Sequence, residues 1–214
     1  MVALLFPGQG SQSVGMGKAF YDTYDVAKQT FEEADEALGF KISDLCFEGD
    51  EAALKRTENT QPAILTTSIA AYRVFQTMMP DVKASFALGH SLGEWSALTA
   101  VGALKFADAV KLVNQRGRLM QEAVGEGEGA MSAIIGIDKA PIVETCVKVS
   151  EEGNGIVTAA NFNGAFANRD LGFSECGRDG RENFERNSWS ESDPVSGQRS
   201  FPLSFDGACR QGNE

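Results

Sequence analysis

Ala84-Ser85-Phe86-Ala87-Leu88-Gly89-His90-Ser91-Leu92-Gly93-Glu94-Trp95 runs from an apolar strand-like segment through a turn of small residues into a helix-like one. Gly89-x-Ser91-x-Gly93 in that setting is the pattern of a nucleophile elbow. The turn needs small residues at 89 and 93 so that neighbouring backbones can approach. It lifts the Ser91 hydroxyl above the sheet at a helix N-terminus, where backbone N–H groups face a developing oxyanion. His90 is the only histidine in the chain. Adjacent residues on an elbow point in different directions, so His90 is expected to be structural and hydrogen-bonded rather than the base for Ser91. Without a base a serine is a poor nucleophile.

Outward from this turn, apolar runs at Val2–Phe6 and Ala84–Leu88 read as buried strands. Helical spacing is expected over Ala27–Leu38, Asp50–Lys55, Leu92–Ala103 and Phe106–Val124. Pro62 suits the first position of a helix over Ala63–Met78. After Gly125-Glu126-Gly127-Glu128-Gly129, strands at Ala130–Ile137 and Ile156–Ala160 flank a helix over Pro141–Glu151. Strands alternating with helices point to an α/β fold with a parallel sheet, followed by a smaller α+β unit.

Two further stretches carry candidate chemistry. Phe6-Pro7-Gly8-Gln9-Gly10-Ser11-Gln12 follows the first strand, and the two glycines let a backbone N–H beside Gln9 point into a cleft beyond the strand's carboxyl end. That loop reads as a structural turn, a poor phosphate loop or, beside an elbow, a second oxyanion donor. In Gln115-Arg116-Gly117-Arg118, Arg118 reads as a solvated helix residue. A cleft-facing Arg116 would grip a carboxylate bidentately and select a dicarboxylic acyl group.

Composition narrows the alternatives. The formal net charge of −11, from 30 acidic and 19 basic residues, argues against binding a phosphate backbone. No apolar run reaches the roughly 18 residues of a membrane helix, and the start lacks a basic leader region. Cys46, Cys146, Cys176 and Cys209 have no metal-site or redox-pair spacing, so a reduced, cytoplasmic protein is expected.

From Gly164 to Glu214 the texture changes. All nine Lys precede this stretch, whereas six of the ten Arg lie within it; Ile, Thr, Tyr and Met are absent from it. Neither a helical nor a strand period can be drawn through it, which fits a poorly ordered tail. Five Phe and Trp189 fit that reading badly.

Together these motifs resemble the malonyl-coenzyme A:acyl-carrier-protein transacylase family, acyltransferases of fatty-acid and polyketide synthesis. The resemblance runs from Val2 to about Asn163, through FPGQGSQ at 6–12, TQPA at 60–63, GHSLGEWSAL at 89–98, QRG at 115–117, GAMSAIIG at 129–136 and AANFN at 159–163. It implies a hydrolase-like α/β subdomain over 1–125, the beginning of a smaller ferredoxin-like subdomain over 126–163, and an incomplete C-terminal part, with 164–214 outside the family pattern. Ser91 would be acylated, the backbone N–H groups of Gln9 and Leu92 would form the oxyanion hole, Arg116 would bind the malonyl carboxylate, and Asn161 would line the site. The implied partners are malonyl-CoA and acyl carrier protein, with no metal or other cofactor, no nucleic acid and no membrane. The family's base, a His in a Pro-Phe-His-Ser-Pro-like segment, does not occur among these residues. A serine hydrolase or thioesterase, and a carrier-binding pseudoenzyme, remain the alternatives.

The genetic code bears on that departure. Reading one base later, Ala167-Asn168-Arg169-Asp170-Leu171-Gly172 permits Gln-Ile-Val-Ile-Ser-Gly. In the same register Ser200–Asp206, with the first base of Gly207, permits Pro-Phe-His-Ser-Pro-Leu-Met. The expected histidine would lie across the Pro202 and Leu203 codons, and a one-base shift is expected near codons 163–165.

Overall fold

The computed structural model describes residues 1–123, 129–134, 138–152, 156–162 and 171–176. The chain forms two compact units, Met1–Ala123 and Val124–Glu214.

In the first unit, β1 (Ala3–Phe6) and β2 (Phe86–Gly89) pair in parallel, with Ala3 opposite Phe86 and Phe6 opposite Gly89. Parallel pairing puts the carboxyl ends of both strands on the same side, so the 7–10 loop and the Ser91 turn leave the sheet together. The expectation of buried strands fails on one face. Leu4, Phe6 and Ala87 pack inward, but Leu5, Phe86 and Leu88 are more than half exposed. Successive side chains of a strand point to opposite faces, so inward and exposed residues alternate along β1 and β2.

The helices of this unit are α1 (Lys18–Thr23), α2 (Asp25–Leu38), α3 (Ile42–Glu48), α4 (Glu51–Lys55), α5 (Thr57–Met78), α6 (Leu92–Ala100) and α7 (Phe106–Ala123). Their core gathers Phe31, Ile42, Leu54, Ile64, Leu65, Leu92, Val110 and Val113, each almost wholly removed from water. At the end of α2, Gly39 takes the left-handed conformation, φ 75°, that terminates helices at low steric cost. Asp35, buried on α2, reaches the first turn of α3 and accepts from the Ser43 amide (3.0 Å) and hydroxyl (2.6 Å). Arg73 ties α5 to α2 through Thr30 Oγ1 (3.0 Å) and Glu33 Oε2 (2.8 Å), and its guanidinium lies over the Phe106 ring of α7. Cys46 is buried among these helices, and burial pushes its thiol up to about 12, so it stays protonated and unreactive.

The sequence placed the start of the long helix at Pro62. Instead α5 begins at Thr57 and Pro62 lies inside it. A proline within a helix removes the N–H that would bond to the carbonyl four residues back, here that of Glu58. That carbonyl has a substitute donor: Asn114 Nδ2 of α7 gives it a 2.8 Å hydrogen bond. The helix therefore runs through the proline because a neighbouring helix supplies the missing donor.

In the second unit, β3 (Gly129–Ile134), α8 (Lys139–Glu151), β4 (Ile156–Phe162) and β5 (Leu171–Cys176) form an antiparallel sheet of order β3-β5-β4. Its outer strands flank β5, a split β-α-β arrangement. Ile142, Cys146, Val149 and Val157 make its small core. Ser150 of α8 donates to the Cys146 carbonyl (2.9 Å) and accepts from the Val157 amide (3.0 Å), fixing the helix on the strand. β5 lies inside the stretch where no strand period could be read. The remaining expectations for 164–214, including the codons of Pro202 and Leu203, lie outside the described residues.

Candidate active site

Ser91 sits between β2 and α6 at φ 51°, ψ −107°, and among the described residues it alone has a positive φ without being glycine. Such a turn survives only where its neighbours leave no alternative. Both flanking glycines are in backbone contact: a Cβ on Gly89 would overlap the Gly93 carbonyl group, and one on Gly93 would overlap the Phe6 carbonyl oxygen at the end of β1. The turn is closed by the Gly93 amide donating to the His90 carbonyl (2.9 Å) and the Glu94 amide donating to Ser91 O (3.2 Å).

Leu92 is the first residue of α6, and its side chain is buried in the core. An N–H in the first turn of a helix has no intrahelical acceptor, so that of Leu92 is offered beside the serine. The loop after β1 packs against the same turn, since a Cβ on Gly8 would stand 3.0 Å from the His90 carbonyl oxygen. The loop holds its shape through Ser11 Oγ donating to Gly8 O (2.8 Å) and the Gly10 amide donating to Gln12 Oε1 (2.8 Å). Gln9, half-buried, anchors to α5 through Nε2 donating to Thr57 Oγ1 (3.3 Å).

Arg116 arrives from α7. Its Nη2 donates to Ser91 Oγ at 3.0 Å and its Nη1 to Gln61 Oε1 at 2.6 Å. A guanidinium only donates, so the Gln61 amide must turn its oxygen towards it. Gln61 Nε2 then faces Met120 Sδ, 3.3 Å away. Gln61 is wholly buried, so Arg116 is held from behind by a fixed partner while its other edge meets the serine.

Residues 3–151 match the family described as the acyl transferase domain. The chain belongs to that family. It is 54% identical over 164 residues to the malonyl CoA-acyl carrier protein transacylase of Bacillus subtilis (strain 168), a match covering 76% of this chain and 50% of that protein. It resembles the crystal structure of the malonyl CoA-acyl carrier protein transacylase of Clostridium perfringens with a TM-score of 0.82 and 38% identity, over 95% of this chain and 60% of that one. A structure of a type II PKS acyl-carrier protein in complex with its malonyl-transacylase matches with a TM-score of 0.83 and 38% identity, over 95% of this chain and 62% of that one. The chain spans about half the length of the curated relatives it matches.

The structure brings Ser91, the Gln9 loop, the Leu92 amide and Arg116 to one end of the two-stranded sheet. His90 is exposed beside them. Arg118 points away, its side chain 57% exposed and its Nε 3.4 Å from Glu58 Oε2. Asn161 lies on β4 of the second unit, opposite Gly172 of β5, and is described within that unit alone. Among the described residues no group of three or more His, Cys, Asp or Glu is placed to hold a metal ion, and no helix is long and apolar enough to cross a membrane.

Gln61 and Asn114 carry no motif that marks them in the sequence. Gln61 sits in the TQPA stretch behind Thr57, Glu58, Asn59 and Thr60, so its polarity does not set it apart from its neighbours. Asn114, just before the QRG segment, reads as an ordinary polar residue until the carbonyl freed by Pro62 is seen.

Proposed function

We propose that this acyl transferase moves a malonyl group from malonyl-CoA to the phosphopantetheine thiol of an acyl carrier protein through an ester on Ser91. The observation that carries the reading is the Arg116 guanidinium 3.0 Å from Ser91 Oγ. A cation beside the nucleophile suits an acyl group that brings its own carboxylate and has no purpose for a neutral one. Ser91 Oγ attacks the thioester carbonyl, and the amides of Gln9 and Leu92 receive the oxyanion. Coenzyme A leaves as its thiol, and Arg116 keeps the malonyl carboxylate. The carrier's thiol then attacks the ester and releases Ser91, a ping-pong sequence. The similarity to proteins named malonyl CoA-acyl carrier protein transacylase supports both substrates. A cytoplasmic setting agrees with the free thiols of Cys46 and Cys146. The succession β3, α8, β4 supports reading 126–163 as the beginning of a ferredoxin-like subdomain after an α/β subdomain over 1–125.

Ser91 must lose a proton, and the sole histidine of these 214 residues is its neighbour His90. The chain as it stands is therefore expected to acylate slowly. Intact-mass analysis after incubation with malonyl-CoA should show a malonyl adduct that Ser91→Ala lacks, and added imidazole should speed its formation. No adduct even with imidazole, or the same adduct in Ser91→Ala, would overturn the reading.

The tail belongs to the same proposal. Residues 164–214 are read one base out of register, and the shifted frame restores both a Gln-Ile-Val-Ile-Ser-Gly strand and a Pro-Phe-His-Ser-Pro segment. Each shifted position permits only a handful of residues, which is why two such segments in one register weigh heavily. Nucleotide sequencing across codons 160–207 should return codons that yield both peptides; codons incompatible with either would end the idea.

A further inference from the structure

Pro62 creates a need at the one place where α5 and α7 touch the site. By removing its own N–H it frees the Glu58 carbonyl, and Asn114, buried on α7, donates Nδ2 to it at 2.8 Å. Beside this bond the two helices meet without side chains between them. A Cβ on Gly117 would stand 2.5 Å from Glu58 Cα and from Thr57 O, so the backbone of α7 rests on the first turn of α5. Arg116 lies between these two contact points in sequence, and Gln61, its buried partner, follows from the same turn of α5. The Thr57 hydroxyl of that turn also receives the Gln9 side chain. One helical turn thus indexes the Arg116 clamp and the loop after β1.

We infer that Asn114 is a positioning residue for the Arg116 clamp: its bond to the Glu58 carbonyl sets the rotation of α7 about its axis, and with it the point at which the guanidinium meets the acyl carboxylate. The inference rests on the reading above that Arg116 holds that carboxylate. Without the Asn114 bond, Gly117 still permits close packing but no longer fixes an angle. A small rotation of α7 carries the long Arg116 side chain off the line between Gln61 and Ser91. A misplacement on the ångström scale costs a directed contact most of its value.

The test measures binding of malonyl-CoA and acetyl-CoA to the full 214-residue chain by titration calorimetry, with thermal melting alongside. The wild-type chain should bind malonyl-CoA more tightly; equal affinities would sink the Arg116 reading itself, independently of Asn114. Asn114→Ala should weaken malonyl-CoA binding about tenfold while leaving acetyl-CoA unchanged. The double variant Pro62→Ala/Asn114→Ala returns a backbone N–H to the Glu58 carbonyl and serves equally if the single variant fails to fold. It should melt close to the wild type and still lack the malonyl preference. If the double variant recovers the preference together with its melting temperature, or if either variant keeps it throughout, Asn114 merely satisfies a carbonyl and the inference is overturned.

Discussion

Arg116→Ala should cut the rate of Ser91 acylation by malonyl-CoA by a few hundredfold, about 3–4 kcal/mol, while acylation by acetyl-CoA holds or rises. The expectation follows from what the guanidinium touches. Its Nη1 is spent on Gln61 and its Nη2 on Ser91 Oγ, so an incoming carboxylate replaces a neutral hydroxyl as acceptor and makes a charge-assisted bond. Removing the cation leaves that carboxylate without a counter-charge beside a buried amide and an exposed serine, a loss only a charged acyl group feels. Rates of adduct formation by mass spectrometry, with both thioesters and imidazole present, supply the comparison. A uniform fall for the two donors would point to damage of the elbow instead. An unchanged malonyl rate would favour a serine hydrolase built on the same turn.

Gly89→Ala should be the most damaging single methyl group in the first unit. Its Cβ would overlap the carbonyl group of Gly93, with the Glu94 amide nitrogen 2.6 Å away, and all three atoms are backbone. A flexible side chain could step aside; a helix N-terminus pressed on β1 cannot. The expected cost exceeds about 3 kcal/mol, a drop of roughly 10 °C in melting temperature for a chain of this size. Acylation of Ser91 should vanish with it, because the turn that carries the hydroxyl and the Leu92 amide has to open. A variant that melts and acylates like the parent would show that the close approach is not required.

Much of this was legible in the residues. The elbow could be read because Gly89-His90-Ser91-Leu92-Gly93 follows an apolar run and precedes a helix, and each of those signals is local. The end of α2 could be read for the same reason, with Gly39 following it, although the helix begins at Asp25, two residues before the expected Ala27. What could not be read depended on partners distant in sequence. Pro62 suggested a helix start, since nothing near it reveals that Asn114 supplies the donor a proline lacks. The two faces of β1 and β2 could not be told apart because a run such as Ala3-Leu4-Leu5-Phe6 has no polar residue to distinguish them. β5 escaped because Leu171–Cys176 alternates neither cleanly nor far enough, and its pairing comes from β3 and β4 on either side. The clamp was half legible: Arg116 drew attention by its chemistry, whereas Gln61, which turns it towards Ser91, gave no sign without the fold.

The backbone of Ser91, at φ 51°, stands where a residue with a side chain is held against its own preference, at a cost of order 1–3 kcal/mol. Glycine would rest there without strain. If Ser91 is acylated as proposed, folding and chemistry want different residues at position 91, and a process that rewards stability alone would drift towards the amino acid that removes the hydroxyl. Ser91→Gly should therefore melt above the parent chain while forming no malonyl ester, so one dihedral angle separates what stabilises the turn from what the turn would be for.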